Sequence, residues 1–156
     1  MAEARAQVSG LTDTELFVAG VTAYWAEGTK SKPWRADSQR VVFVNSDAAM
    51  IRLFLRWLAL IGVDHDRLIF RVAIHESADL QAAHDFWAEV VGVGPEQFGR
   101  PTLKRHRPTT NRKNVGHGYN GCLSVTVRRS TELYRQIAGW WLGLSDQVDR
   151  VAGTIG

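Results

Sequence analysis

Two stretches of this chain, Leu68 to Glu76 (LIFRVAIHE) and Gly121 to Arg128 (GCLSVTVR), alternate apolar and polar residues, the pattern of strands with one face buried and one face wet. In the first, Leu68, Phe70, Val72 and Ile74 point one way and Ile69, Arg71, Ala73 and His75 the other. In the second, Leu123, Val125 and Val127 oppose Ser124, Thr126 and Arg128. The segments around them have helical periodicity, so the chain is expected to fold as helices covering one side of a sheet whose other side stays open. At 156 residues it should form a single α+β domain with a core over about residues 12–144 and short tails.

The best-marked helix is the first, expected from Asp13 to Glu27. Thr12 precedes Glu15 at capping-box spacing, Leu11 and Leu16 have the spacing of a hydrophobic staple, and Gly28 is placed to close the helix in a left-handed conformation. Leu16, Ala19, Gly20, Ala23 and Glu27 share one face, and Phe17, Val21 and Tyr24 form a bulkier stripe. The first face is small enough for a second helix backbone to come close. Glu27 sits at the negative end of the macrodipole, an unfavourable place for a carboxylate unless a cation is bound. Two such helices side by side would gather two acids and attract a divalent metal. A solvated helix-end residue is the plain alternative for Glu27.

Thr29 to Arg35 (TKSKPWR) suits an edge strand, paired as a hairpin with Arg40 to Asn45 (RVVFVN). Asn45, Ser46 and Asp47 should cap a second helix with Ile51, Phe54, Leu55, Leu58 and Ile61 inward, ending at Gly62. A third helix is expected from Asp79 to Val91, with Leu80, Ala83, Trp87 and Val90 inward and Gly92 as its stop. After a turn at Pro95 to Phe98, the final helix should run from Thr131 to Leu144 and bury Leu133, Ile137 and one or both of Trp140 and Trp141. No internal repeat is present.

Charge is distributed unevenly. Between Gln97 and Thr131 no Asp or Glu occurs, while eight basic residues do: Arg100, Lys104, Arg105, Arg107, Arg112, Lys113, Arg128 and Arg129. With Gly116, Gly118 and Gly121 this stretch reads as a long basic loop, interleaved with Thr109, Thr110, Asn111 and Asn114, that repels itself and attracts polyanions. Nucleic acid is the expected partner.

The only cysteine, Cys122, excludes an internal disulfide and a cysteine metal cluster, and is expected in the core under reducing conditions. The first ten residues lack the apolar run of a signal peptide, and no stretch has the roughly 20 apolar residues of a membrane span. A cytoplasmic, nucleoid-associated protein with no membrane partner is expected. His75-Glu76 lacks the second histidine of the zinc-protease motif, and His65, His84, His106 and His117 show no ligand spacing, so no metal is assigned to histidine.

The block GVTAYWAEG (Gly20 to Gly28), the hairpin after it, the block VNSDAAMIRLFLRWL (Val44 to Leu58) and a later strand and helix resemble the LAGLIDADG homing endonuclease family, in particular its small one-motif bacterial members. The resemblance in element order covers about residues 12–144. It implies an αββαββα saddle, here with an extra helix and the long basic loop, whose antiparallel four-stranded sheet straddles double-stranded DNA. It also implies a homodimer joined through the motif helix at Gly20 and Ala23, and Mg²⁺ or another divalent cation held by Glu27 of each chain for phosphodiester hydrolysis. Lys104 and Lys113, with Lys30, are the candidates for the charge-stabilising catalytic lysine. Lys30, Lys32, Arg35, Arg40, Arg71, His75 and Arg128 fall where the family contacts DNA, and Arg100, Arg105, Arg107 and Arg112 extend that set along the basic segment. The chain departs from the usual motif at Val21 and Thr22, where an Ala-Gly pair is customary, and at Trp25, where an acid is. A sequence-specific regulator without cleavage, or an RNA-binding splicing helper, shares the same electrostatics.

Overall fold

The computed structural model describes residues 1–8, 10–32, 34, 39–104 and 119–152. Five helices and four strands follow one another as α1 (Ala2–Ala6), α2 (Asp13–Glu27), β1 (Val42–Asn45), α3 (Ala48–Leu60), β2 (Leu68–His75), α4 (Leu80–Val91), β3 (Thr102–Lys104), β4 (Cys122–Val127) and α5 (Thr131–Ala152). The sheet order is β1-β4-β2-β3. It is mixed and not antiparallel throughout: β4 runs antiparallel to β1 and β2, whereas β3 lies parallel to β2, pairing Ala73 with Thr102 and His75 with Lys104. The α4 crossover makes this possible, since a parallel neighbour requires a long connection.

Helix α2 keeps the expected bounds because its start is fixed locally. The Glu15 amide donates to Thr12 Oγ1 (3.2 Å) and the Thr12 amide to Glu15 Oε2 (2.7 Å), a complete capping box. The Thr12 amide and hydroxyl, both donating to Glu15 Oε2, hold the Glu15 carboxyl below the usual carboxylate range, so their contribution is lost as pH falls through that lowered value. Thr12→Ala should lower stability by about 1 kcal/mol in chemical denaturation. At the other end the expectation fails: Gly28 has φ −72° and ψ 161°, which is extended backbone. The helix stops because Gly28 and Thr29 join the sheet, Gly28 bridging to Phe43 and the Thr29 amide donating to the Val42 carbonyl (2.9 Å).

The hairpin strand expected over Thr29 to Arg35 goes no further among the described residues. The Ser31 amide donates instead to the hydroxyl of Tyr134 on α5 (2.7 Å), which takes the chain away from β1. Tyr24 fastens the same turn, its hydroxyl donating to the Thr29 carbonyl (2.9 Å). Burial raises the Tyr24 pKa well above its ordinary 10.0. The neutral phenol is the form the fold favours, so its contribution persists below about pH 10 and is lost at higher pH.

Asp47 and Asp79 cap α3 and α4 through the amides of Ala49 (2.7 Å) and Ala82 (2.9 Å), and Gly92 ends α4 at φ 69°. Helices α2 to α5 form one layer in which α2 lies between α3 and α5. On one flank Gly20 faces Trp57 of α3; on the other Phe17 meets Trp140 edge-on (5.1 Å) and Trp25 stacks on Trp141 (5.5 Å). The core beneath contains Val21, Tyr24, Phe43, Ile51, Phe54, Trp57, Phe70, Val72, Ile74, Trp87, Leu123, Val125 and Ile137, all fully buried. Among the described residues, Trp57 Nε1 is the buried side-chain polar atom without a hydrogen-bond partner. Ser130, 2 % exposed, turns its hydroxyl to accept from the Val41 amide (2.9 Å), tying the start of α5 to the approach to β1. Helix α5 continues past Leu144 to Ala152, in turns that are exposed from Asp146 to Arg150.

Candidate nucleic-acid interface

The strand alternation places two sets of side chains on opposite faces, and the described helices cover only one of them. Phe43, Leu68, Phe70, Val72, Ile74, Leu123, Val125 and Val127 are buried beneath the helices, while Val44 and Arg71 are exposed and the positions in phase with them are at most half-buried. The registers arrange the open face in rows. Val42, Thr126 and Ile69 form one; Val44, Ser124 and Arg71 the next; Cys122, Ala73 and Thr102 a third; His75 and Lys104 the last. Cys122 therefore lies half-buried on this face and not in the core.

The four strands give this face a width of roughly 14 Å, close to that of a DNA major groove. Its described positions carry Arg, His, Lys, Ser, Thr, Cys and aliphatic side chains, with neither an acid nor a Phe, Tyr or Trp ring. Arg71 is exposed and passes beside Gly99, where an added Cβ would come 3.0 Å from its Nε. His75 Nδ1 accepts from the Ser77 amide (3.2 Å) at the far end of β2. Arg40, Arg100, Lys104 and Arg128 are exposed. Arg35, Arg105, Arg107, Arg112 and Lys113 lie outside the described residues.

Other members of the expected set are placed differently. Lys30 Nζ donates to the Ala26 carbonyl (3.1 Å), capping α2, and Lys32 Nζ stands 6.0 Å from the ring centre of Trp34. Trp34 itself is 81 % exposed. Gly20 does not offer its close approach to a second chain: Trp57 of the same chain fills that space, with an added Cβ only 2.0 Å from its Cγ. Ala23 is half-buried, beside the exposed Thr22 and Ala26.

Glu27 is exposed at the end of α2, and because Gly28 bridges to β1 it stands at the β1 edge of the sheet. Lys104 belongs to β3, the opposite edge. Three strand spacings, roughly 14 Å, separate those edges, so one chain does not bring the expected acid and lysine together. Among the described residues no group of three or more His, Cys, Asp or Glu side chains is gathered at Glu27 or elsewhere. Magnesium ions require several oxygen donors in octahedral array. Among the described residues one chain supplies a single carboxylate there, Glu27, beside a lysine already spent on the helix end, and no hydrolytic step is derived from one chain.

Sequence reasoning missed one basic residue next to this face, Arg67, and counted Arg129 in the basic stretch without giving it a place on the face. Their signal lies in cross-strand register, which no local pattern reveals. Among the described residues no helix is long and apolar enough to cross a membrane. Comparison of the chain with protein-family models, with curated proteins and with solved structures finds no match.

Proposed function

We propose that this protein binds double-stranded DNA through the open face of its sheet. The observation that carries the reading is the composition of that face: basic and short polar side chains in register, with no acid and no Phe, Tyr or Trp ring among its described positions. Cations and hydroxyls suit phosphates and groove edges. Proteins that grip single strands or unpaired RNA stack bases on several aromatic side chains, and among its described positions this face offers His75 alone. Duplex is favoured over single strand for that reason.

The test is fluorescence anisotropy with a duplex and each of its separated strands across a salt series. Duplex affinity should fall with log[salt] at a slope of about −0.9 per phosphate contacted. Arg71→Glu and Lys104→Glu should each weaken binding by at least about tenfold. Salt-insensitive association, or preference for the single strands, refutes the proposal.

The LAGLIDADG resemblance extends the reading to a homodimer formed through the outer face of α2, where Val18, Thr22 and Ala26 are exposed. Light scattering should then give twice the chain mass of 17.4 kDa. Cleavage would require two chains to bring two Glu27 carboxylates together with a divalent cation. Nicking of supercoiled DNA that needs Mg²⁺ and is lost in Glu27→Gln supports a nuclease, and a duplex shift without nicking in either protein supports a regulator.

A further inference from the structure

One end of the open face carries a row of arginines. Val42 pairs with Thr126 and Leu68 with Val127, and the Val127 amide donates to the Val41 carbonyl (3.0 Å) while the Arg128 amide donates to the Arg67 carbonyl (2.8 Å). One step further, the same registers set Arg40 and Arg67 on either side of Arg128. Val41, Val127 and Leu68 are buried, and the pleat continued one residue past the strand ends sets Arg40 and Arg128 toward the open face, where both are exposed, while Arg67 closes the 3-10 turn His65–Arg67 beside them. Arg129 follows immediately.

This arrangement is unfavourable in the isolated chain. Like charges directly opposite one another destabilise a sheet. Among the described residues none of the four arginines is paired with a carboxylate: Asp66, next to Arg67, makes no ion pair with it, and Glu132 is engaged by Arg135 (3.5 Å). Arg129 adds a second cost, since it adopts φ 48°, where an L side chain is strained by roughly 1 kcal/mol and glycine would not be. The turn is nevertheless fixed, because Arg67 Nη2 donates to the carbonyls of both Arg128 and Arg129 (3.1 Å each). Unpaired cations lined up on a rigid, strained turn are the marks of a site shaped for an anion.

We propose that Arg40, Arg128 and Arg129, on the turn held by Arg67, form a preorganised phosphate-binding site. Its ligand chemistry is a phosphate monoester or diester group, and on the duplex-binding reading, on which this inference rests for its ligand, that group belongs to the DNA backbone. The row lies eight residues along β2 from His75, roughly 26 Å, so the site anchors one end of the face while Lys104 anchors the other.

The test uses Arg40→Gln/Arg128→Gln in the full chain, with Arg52→Gln/Arg56→Gln, exposed on α3 away from the open face, as a control of equal charge change. Arg67 is left intact because it holds the turn. The first variant should bind duplex at least about tenfold more weakly and show a salt slope shallower by about 1.8, two phosphates' worth; the control should retain the native slope. Inorganic phosphate, compared with chloride at equal ionic strength, should raise the melting temperature of the native chain and not of the first variant. In chloride that variant should melt at or above the native temperature, because it has lost like-charge repulsion. If duplex is bound and the two double variants behave alike, the phosphate site is refuted and the duplex reading stands. If the native chain binds no duplex, that reading falls and the phosphate arm decides the site: a melting shift specific to the row keeps it as a site for free phosphate, and its absence removes it.

Discussion

Gly121→Ala should unfold much of the population at temperatures where the native chain is folded, with a loss of at least about 3 kcal/mol in chemical denaturation. Two independent effects combine there. Gly121 holds φ 65°, a left-handed conformation that disfavours any residue with a Cβ, and that Cβ would come 2.4 Å from the Ala73 carbonyl oxygen and 3.0 Å from Ile74 Cβ. The obstructing oxygen is backbone in β2, and Ala73 pairs with Cys122 on one side and Thr102 on the other. It cannot yield without parting the middle of the sheet, so overpacking is expected at the upper end of its usual range. Unchanged stability would mean that Gly121 does not approach β2 in solution.

Gly20→Ala should be comparably damaging, for a different reason. Alanine is the better helix former by about 1 kcal/mol, and on a free helix face the substitution would stabilise. Here the new methyl would stand 2.0 Å from Trp57 Cγ and 2.2 Å from its Cδ1, inside a fully buried ring wedged between α2 and α3. A loss of about 3 kcal/mol is expected, and the partner can be identified by a double-mutant cycle. In a Trp57→Ala background the obstacle is gone, so Gly20→Ala should cost less than about 1 kcal/mol or become favourable. Additive losses would place the conflict elsewhere. The cycle also bears on assembly: if Gly20 met a second chain, the effect of Gly20→Ala would depend on protein concentration, whereas the intrachain contact makes it independent.

The elements most legible in the sequence were those whose signals are local. Thr12 with Glu15, Asp47, Asp79 and Gly92 mark helix ends through hydrogen bonds or backbone conformations reaching no more than a few residues, and they appear where expected. Alternation in β2 and β4 assigned their residues to the covered or open face, Cys122 excepted, which is why Arg71 and Arg128 could be named. What escaped depends on distant partners. The three residues of β3 are too few to alternate, and their place is set by parallel pairing across α4. The course after Gly28 is decided by the bond from Ser31 to Tyr134, 103 positions beyond Ser31, and no feature of TKSKPWR foretells it. Helix α1 has no apolar stripe to announce it, only strong helix formers on a surface exposed throughout. The alignment of Arg40, Arg128 and Arg67 is likewise a property of register, visible only when three strands are laid side by side.

The buried hydroxyl of Ser130 has a dynamic consequence. By accepting the Val41 amide across 89 positions, it seals a proton that lies just outside β1, at the sheet margin where local fraying would otherwise be easy. Deuterium can reach that proton only when the start of α5 lifts away. The margin of the sheet and the C-terminal helix should therefore open as one cooperative unit, and the exchange rate at Val41 should follow the undocking of α5.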